Sequence, residues 1–477
     1  MTQKALLGRT WLRLLGSLRR RPGELETASD RSHERYRRAA LSGSTMLLGR
    51  VLSAVSSLLT VRLTFHYLGA ERYGMWMTIS SVVLMLGSAD LGLSNGLVNL
   101  IADAAGRGDE VAEKTASASA LFILSGISAL MLVAMCVAYP FLNTARLFNL
   151  HSPLAIKESG PALLVFFFCF VLNLPLGAVR GVQTGLQKGF VNNLWWILGT
   201  ILSLAALLIA IQQHAGLPPL ILCLTGPPVV SSMLNGLELF VWSHPELMPR
   251  ARHFSRVAAS RLLRTGLMYF LLQLSLTIGM QTDNVVIAQI LGPKAVADYA
   301  VPARLFNVLV AVAGMFYMTM IPAYTEALAK SDGPWIRKTF FRVAGAGIAA
   351  NLVLATIAVL VGNRLIALWV GPQIQPSKGL LVALGLICVV TSYVNSASTL
   401  LNGLGRFRAQ VIFGLLMAVV NLALSIVLVR RFGVTGAALG TVIAMALVQV
   451  VPMIVLTRRS LRELTEVTSG VGPYQDN

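Results

Sequence analysis

Charge is scarce in this chain: 12% of its 477 residues are Asp, Glu, Lys or Arg, against 55% hydrophobic. A soluble fold of this length could not cover so much apolar surface with so few charges. Acids are scarcer still, 20 against 39 basic residues, for a net charge of +19. Cysteine occurs only at Cys136, Cys169, Cys223 and Cys388, all within apolar runs and without CxxC spacing. These read as small apolar residues, not as a metal or redox set. The six histidines are scattered and form no HExxH, and GxxxxGK[ST] is missing, so neither a zinc-hydrolase helix nor an ATP-binding phosphate loop is present. Connections between apolar runs reach about 20 residues at most, which leaves no room for a soluble catalytic domain. The chain does not read as an enzyme, and no cofactor is called for.

Apolar runs are what the sequence has in quantity. Mean hydropathy is +0.71, and runs of about 20 residues, the length that crosses a hydrocarbon core of about 30 Å, recur from Ala39 to Leu456. Twelve are expected, at roughly 41–64, 75–102, 117–139, 161–179, 194–211, 217–242, 267–291, 299–325, 340–361, 379–401, 409–429 and 436–457. The alternating ten-residue strands of a membrane barrel are absent. The fold class is therefore all-α and polytopic.

Location explains the basicity. With a cytoplasmic amino terminus, 28 of the 39 Lys and Arg fall on the cytoplasmic side, 8 on the other, and Arg50, Arg62 and Arg304 inside spans. That bias orients both termini toward the cytoplasm and points to anionic lipid, not nucleic acid, as the partner of the positive charge. In residues 3–21, Leu6, Leu7, Trp11, Leu14, Leu15 and Leu18 share one helical side and Arg9, Arg13 and Arg20 another. An interfacial amphipathic helix is expected there; a disordered basic tail is the alternative.

The chain also repeats itself. YLG at 67–69 matches ILG at 290–292, and GRGD at 106–109 matches AKSD at 329–332, both at an offset of 223. Six spans per half is an even number, so both halves enter the membrane in the same orientation, related by a pseudo-two-fold axis along the membrane normal. The expected organisation is a basic segment (1–38), a six-helix bundle (39–242), a basic cytoplasmic linker (243–265), a second six-helix bundle (266–457) and a cytoplasmic tail (458–477). Two bundles flanking a cleft suit alternating access.

Around the repeat, YLGAERYGMW, SADLGLSNGLVNLIADAAGRGDE, QTDNVVIAQILGPKAVADYAVPARLF and MIPAYTEALAKSDG resemble the polysaccharide transporters of the MOP exporter superfamily, the Wzx-type flippases. The resemblance covers about residues 40–457 and rests on the combination of these elements. It implies a MATE-like fold in the bacterial inner membrane, flipping an undecaprenyl-pyrophosphate-linked oligosaccharide (an O-antigen, capsule or exopolysaccharide unit) to the outer face. Polymerase and glycosyltransferases of the same pathway would be partners. Many relatives have fourteen spans, where twelve are expected here. A multidrug or cation antiporter of the same superfamily is the nearest rival. A membrane glycan polymerase or ligase would need ionisable residues on a large outer loop, and a membrane scaffold would not need polar stripes in both halves.

Ionisable groups inside spans cost several kcal/mol unless paired or wet, so each is a candidate: Arg50, Arg62, Asp90, Glu238, Asp283 and Arg304. Glu238, near a span end, is expected to reach water. Arg50, Ser53, Ser57, Thr60 and Thr64 share one face of the first span, and a guanidinium fork suits pyrophosphate. Gln273, Thr277, Gln281 and Asn284 form the corresponding stripe in the second half, with Asp283 at its edge. Ser392, Asn395, Thr399 and Asn402 form another. Polar helix–helix packing is the bland reading of such stripes. Arg50 and Asp90 lie at comparable height, as do Asp283 and Arg304, so two charge pairs are expected, either in the substrate path or as static neutralisation. Arg62 either joins the path or reaches the interface. Ser88, Gly92, Asn95, Gly96 and Asn99 form a small-residue seam, which leaves Asp90 expected to point away from it, inside the helix, toward Arg50.

Overall fold

A computed structural model describes residues 28–86, 90–318, 320–406 and 408–468. The expected amphipathic segment 3–21 lies outside them, as do Ser88 and the side chain of Thr277. Among the described residues all regular structure is helical. In chain order the helices are α1 (Ala28–Met85), α2 (Leu93–Arg107), α3 (Glu110–Ala138), α4 (Thr144–Leu147), α5 (Pro153–Gly185), α6 (Gly189–Gln212) and α7 (Leu217–Leu237). They continue with α8 (Arg256–Leu291), α9 (Pro293–Met318), α10 (Met320–Ala329), α11 (Gly333–Val370), α12 (Lys378–Gly403), α13 (Arg408–Phe432), α14 (Val434–Ala444) and α15 (Val451–Thr468). Nine helical runs among the described residues are long and apolar enough to cross a membrane. Their outward faces carry side chains such as Leu360 and Leu368, 77% and 79% exposed. Lipid, not water, is the medium such surfaces require. The chain is an all-α, multi-pass membrane protein.

The first of these runs, Leu41–Met85, has 45 residues, which at about 1.5 Å per residue is more than twice a hydrocarbon core of about 30 Å. It cannot be one straight span. The break falls at Gly69, whose φ of 75° and ψ of 171° are open to glycine and strained for any residue with a Cβ. Beyond Met85 the helix expected to continue to Ala102 is interrupted. Leu86 and Asp90 lie in tight 3₁₀-type turns, Leu91 and Gly92 have φ of 50° and 68°, and α2 starts afresh at Leu93. Leucines 86 and 91 keep the stretch apolar, so hydropathy alone could not show the interruption.

The repeat has a backbone counterpart. Gly69 and Gly292 both have positive φ, 75° and 86°. Gly108 and Ser331 do as well, 68° and 54°. Each of the latter pair is followed by an Asp whose carboxylate accepts from a first-turn amide: Asp109 from Ala112 N at 2.9 Å and Asp332 from Trp335 N at 3.0 Å. An Asp at this position satisfies a helix-end donor and favours the positive helix terminus. The matched motifs are helix stop-and-start signals.

The described chain divides into two compact units. One holds the described residues up to Ser57, Leu86–Leu142 and Gly160–Phe270; the other holds Leu58–Met85, Asn143–Ser159 and the described residues from Leu271 onward. In the first, Leu93, Leu97 and Ile101 of α2 pack with Ala116, Ala120 and Leu124 of α3 and with Ala178, Val179 and Val182 of α5. Glycines 177, 181 and 185 make the α2–α5 approach possible. A Cβ on Gly181 would lie 2.9 Å from Ser94 O, and one on Gly185 2.7 Å from Ile101 Cβ. Small residues at every fourth position let membrane helices reach van der Waals contact over their whole crossing.

In the second unit, Tyr324 and Ala327 of α10 pack with Ile336 and Phe340 of α11, Leu400 of α12 and Leu461 of α15. The loop around α4 is tied by polar contacts: Glu71 accepts from Ser152 N at 3.1 Å, and Arg72 Nη1 lies 3.3 Å from Glu158 Oε2. Glu158 is the acid an enzyme working from this loop would have used. It is held in a structural ion pair.

Candidate functional site

Asp90 sits at the interruption before α2. Its Oδ1 accepts from Gly92 N at 3.0 Å, an Asx-type turn that holds the chain in the left-handed conformation of Leu91 and Gly92. Two consecutive left-handed residues, one of them a leucine, are a costly arrangement that neighbours must enforce. Gly266 of α8 leaves room for it: a Cβ there would lie 2.7 Å from Leu91 O. Asp90 therefore marks a helix boundary, contrary to the expectation that it lies inside a continuous span. Its basic partner also differs from the one expected. The carboxylate interacts electrostatically with Arg180, a residue that hydropathy places in a loop and that the structure places within α5.

Two polar stripes flank this point. On α5, Arg180 and Thr184 are exposed four residues apart, and Gln187 is exposed in the turn just beyond it; on α2, Asn95, Asn99 and Asp103 are exposed at intervals of four. Asp103 meets Arg107 at 2.8 Å. On the buried side of α5, Gln183 and Asn235 exchange hydrogen bonds of 2.6 and 3.1 Å. The predicted seam is partly visible: a Cβ on Gly96 would lie 3.3 Å from Gly266 N, whereas Asn95 and Asn99 are exposed. The first-span stripe in this unit, Arg50, Ser53 and Ser57, is half-buried.

In the other unit the main polar feature is Asp283 of α8, 4% exposed. Four neutral groups donate to its carboxylate. Oδ2 accepts from Tyr299 Oη at 2.8 Å and Thr441 Oγ1 at 2.9 Å. Oδ1 accepts from Ser425 Oγ at 3.1 Å and Asn421 Nδ2 at 3.5 Å. The expected pairing with Arg304 gives way to this cage. Among the described residues no Lys or Arg lies within ion-pair distance of Asp283. Arg304 is exposed and interacts electrostatically with Tyr73 instead. An acid held by neutral hydroxyls can be carried either as a carboxylate or in protonated form, because each hydroxyl can turn from donor to acceptor. Among the described residues no group of three or more His, Cys, Asp or Glu could hold a metal ion.

The remaining candidates are distributed more loosely. Asn284 Nδ2 donates to Ser81 Oγ at 2.9 Å. Gln273, Gln281, Asn395 and Thr60 are half-buried, Thr64 is buried and Arg62 is exposed. Thr64 bonds back to Thr60 O at 2.6 Å, and Thr399 to Asn395 O at 2.8 Å, so those hydroxyls serve their own helices. Ser392 joins a buried network with Tyr317, at 2.6 Å, and Asn351, at 3.3 Å. Glu238 accepts from Ser243 Oγ within its own helix end.

The helical membrane fold is similar to those of solved structures. The fold matches an inward-facing multidrug resistance MATE family transporter of the MOP superfamily with a TM-score of 0.76 at 18% identity, covering 87% of this chain and 96% of that one. It matches a MOP superfamily transporter from Pyrococcus furiosus, described as having a binding pocket of reversed polarity, with a TM-score of 0.60 at 18% identity over 94% of this chain and 98% of that one. The family model for polysaccharide biosynthesis proteins matches residues 41–328. The chain belongs to that family, the polysaccharide biosynthesis proteins. A Salmonella typhimurium protein carrying the name "Putative O-antigen transporter" is 22% identical over 423 residues, 85% of this chain and 93% of that protein.

Proposed function

We propose that the chain translocates a polyprenyl-pyrophosphate-linked oligosaccharide across the bacterial inner membrane by alternating access, with both termini in the cytoplasm. What supports this reading is a chain matched by the polysaccharide-biosynthesis family model whose α2 and α5 expose polar groups suited to sugars and phosphate, among them Arg180, Thr184, Asn95 and Asn99. Guanidinium suits pyrophosphate, and amides and hydroxyls suit sugar hydroxyls. The name of the Salmonella relative supports an O-antigen-type substrate. Two six-helix halves, 39–242 and 266–457, would supply the alternating motion, and the basic end segments would bind anionic lipid. Arg50, Gln273 and Arg304 remain proposed lining residues. Asp283 is the proposed group through which an ion or proton gradient drives the cycle. Polymerase and glycosyltransferases would act on either side of the step.

Deleting the gene and analysing the stalled lipid-linked intermediate tests the proposal. Accumulation of the complete repeat unit on the cytoplasmic face is expected. Normal translocation in the absence of a redundant carrier contradicts it.

A further inference from the structure

No Asp or Glu lies between Asp332 and Glu463, so α11, α12, α13 and α14 of the second unit carry basic residues alone. At one end of these helices an acid is at hand: Arg406 Nη1 lies 2.6 Å from Glu463 Oε2, and Arg459 Nε 2.9 Å from Glu463 Oε1. At the other end stand Arg364 in α11, Lys378 at the start of α12, and Arg430 and Arg431 at the end of α13. All four are exposed. Among the described residues none of them makes an ion pair or a side-chain hydrogen bond. Packing sets them at one level. A Cβ on Gly362 would lie 3.3 Å from Leu381 Cδ1, which places Arg364 opposite the start of α12. The hydroxyls of Ser377 and Thr435, 3.0 Å apart, join the start of α12 to the start of α14. The turn between α13 and α14, which holds Arg430 and Arg431, is so tight that a Cβ on Gly436 would strike Leu428 O.

Cations gathered here work against the fold in two ways. On the side expected to face outward they weaken the charge bias that orients a membrane protein. Arginines in the last turn of α13 suit its negative end, but Lys378 sits in the first turn of α12, where a cation is unfavourable. An anion placed among them reverses both objections. The neighbouring surface says which kind. Val361 precedes Arg364 by three residues and Val427 precedes Arg431 by four, so each shares a helix face with its arginine. Both valines are exposed, as is Phe432. We infer that Arg364, Lys378, Arg430 and Arg431 hold the phosphate of an anionic phospholipid, whose acyl chains lie along the apolar faces of α11 and α13. The arginine forks donate to phosphate oxygens, and a soluble anion would make no use of the apolar faces. This site goes beyond the proposed function and is independent of what the chain carries. It is also distinct from the basic end segments, which lie at the opposite end of the helices.

The test uses full-length protein in a neutral detergent, with the exposed Cys136 changed to serine and a fluorophore attached through Gln375→Cys. Gln375 is exposed in the loop just before Lys378. Phosphatidylglycerol bearing a nitroxide near the head of its acyl chain is titrated in, and quenching is compared with that by identically labelled phosphatidylcholine. Saturable quenching with a preference of about tenfold or more for phosphatidylglycerol is expected. Changing Arg430 and Arg431 together to Gln should weaken its binding about 25-fold, and Lys378→Gln about fivefold, at fivefold for each cation near an anionic headgroup. Arg337→Gln with Lys338→Gln, at the other end of α11, should leave the affinity unchanged. If the double arginine variant proves unstable, Lys378→Gln carries the test. Equal quenching by the two lipids, or wild-type affinity for phosphatidylglycerol in the Arg430, Arg431 or Lys378 variants, overturns the assignment. So does an equal loss in the Arg337 and Lys338 variant, which would mean that overall charge and not this site is being read. Displacement of the lipid by inorganic phosphate at equal concentration would make this a site for soluble anions and would overturn it as well. The proposed transport function stands whichever result is obtained.

Discussion

Replacing Gly181 by alanine adds a single methyl group at a close point of the α2–α5 crossing. The new Cβ would lie 2.9 Å from Ser94 O and 3.0 and 3.2 Å from the Leu97 side chain. Ordinary contacts between such atoms begin near about 3.5 Å, so the helices must part by about half an ångström or Leu97 must leave its rotamer. Overpacking of this kind costs about 1–3 kcal/mol. The opposing gain, alanine over glycine in a helix interior, is at most about 1 kcal/mol. Net destabilisation of about 1–2 kcal/mol is therefore predicted. Gly126 of α3 provides the control, because a Cβ there would meet nothing within 4 Å, and Gly126→Ala should be neutral or mildly stabilising. The assay is thermal unfolding in detergent, read by the exposure of buried cysteines Cys169 and Cys388, alongside complementation of polysaccharide export. If Gly181→Ala is as stable as wild type, the close crossing of α2 and α5 is refuted.

Other substitutions probe the second unit. Asp283→Ala would leave four donors facing a void, so a loss of about 3–5 kcal/mol is expected by thermal unfolding. Asp283→Asn should fold, with hydroxyls turned to suit the amide, but should lose gradient-driven transport in vesicles; undiminished transport in Asp283→Asn would remove Asp283 from the coupling step. Arg72→Ala and Glu158→Ala should each lower stability, with a double-mutant coupling of about 1 kcal/mol, because the pair is only partly open to water. Export by the two variants should remain once expression is matched, since neither residue is assigned to the substrate path.

How far the sequence could be read depended on the distance between cause and effect along the chain. Helices, and the breaks in the repeat, are local: Asp109 and Asp332 cap helices three residues on, and a matched motif shows that directly. Asp90 was visible as an anomaly, but its role was not. The turn that contains it is made of apolar residues, and its charge partner lies 90 residues further on, at a position where hydropathy had already ended the span. The glycines at 177, 181 and 185 were the available signal that α5 continues past Val179, since a small-residue row marks a helix crossing and not a loop. The Asp283 cage was less accessible still. Tyr299 is near in sequence, but Asn421, Ser425 and Thr441 come from α13 and α14, 138 to 158 residues away. Nothing in their local pattern distinguishes them from helix-packing residues. Charge counting singled out Asp90, Asp283 and Arg304 but paired them differently from the structure, because pairing is fixed by packing.

The central claim is that this chain moves a lipid-linked oligosaccharide across the membrane. Its most direct test is flipping in proteoliposomes containing the purified protein and a polyprenyl-pyrophosphate oligosaccharide, scored by the fraction of sugar that becomes accessible to a membrane-impermeant lectin. Redistribution well above that in protein-free liposomes and unaffected by a cationic drug is the predicted result. No redistribution above background by folded protein, together with export of the cationic drug, would contradict it.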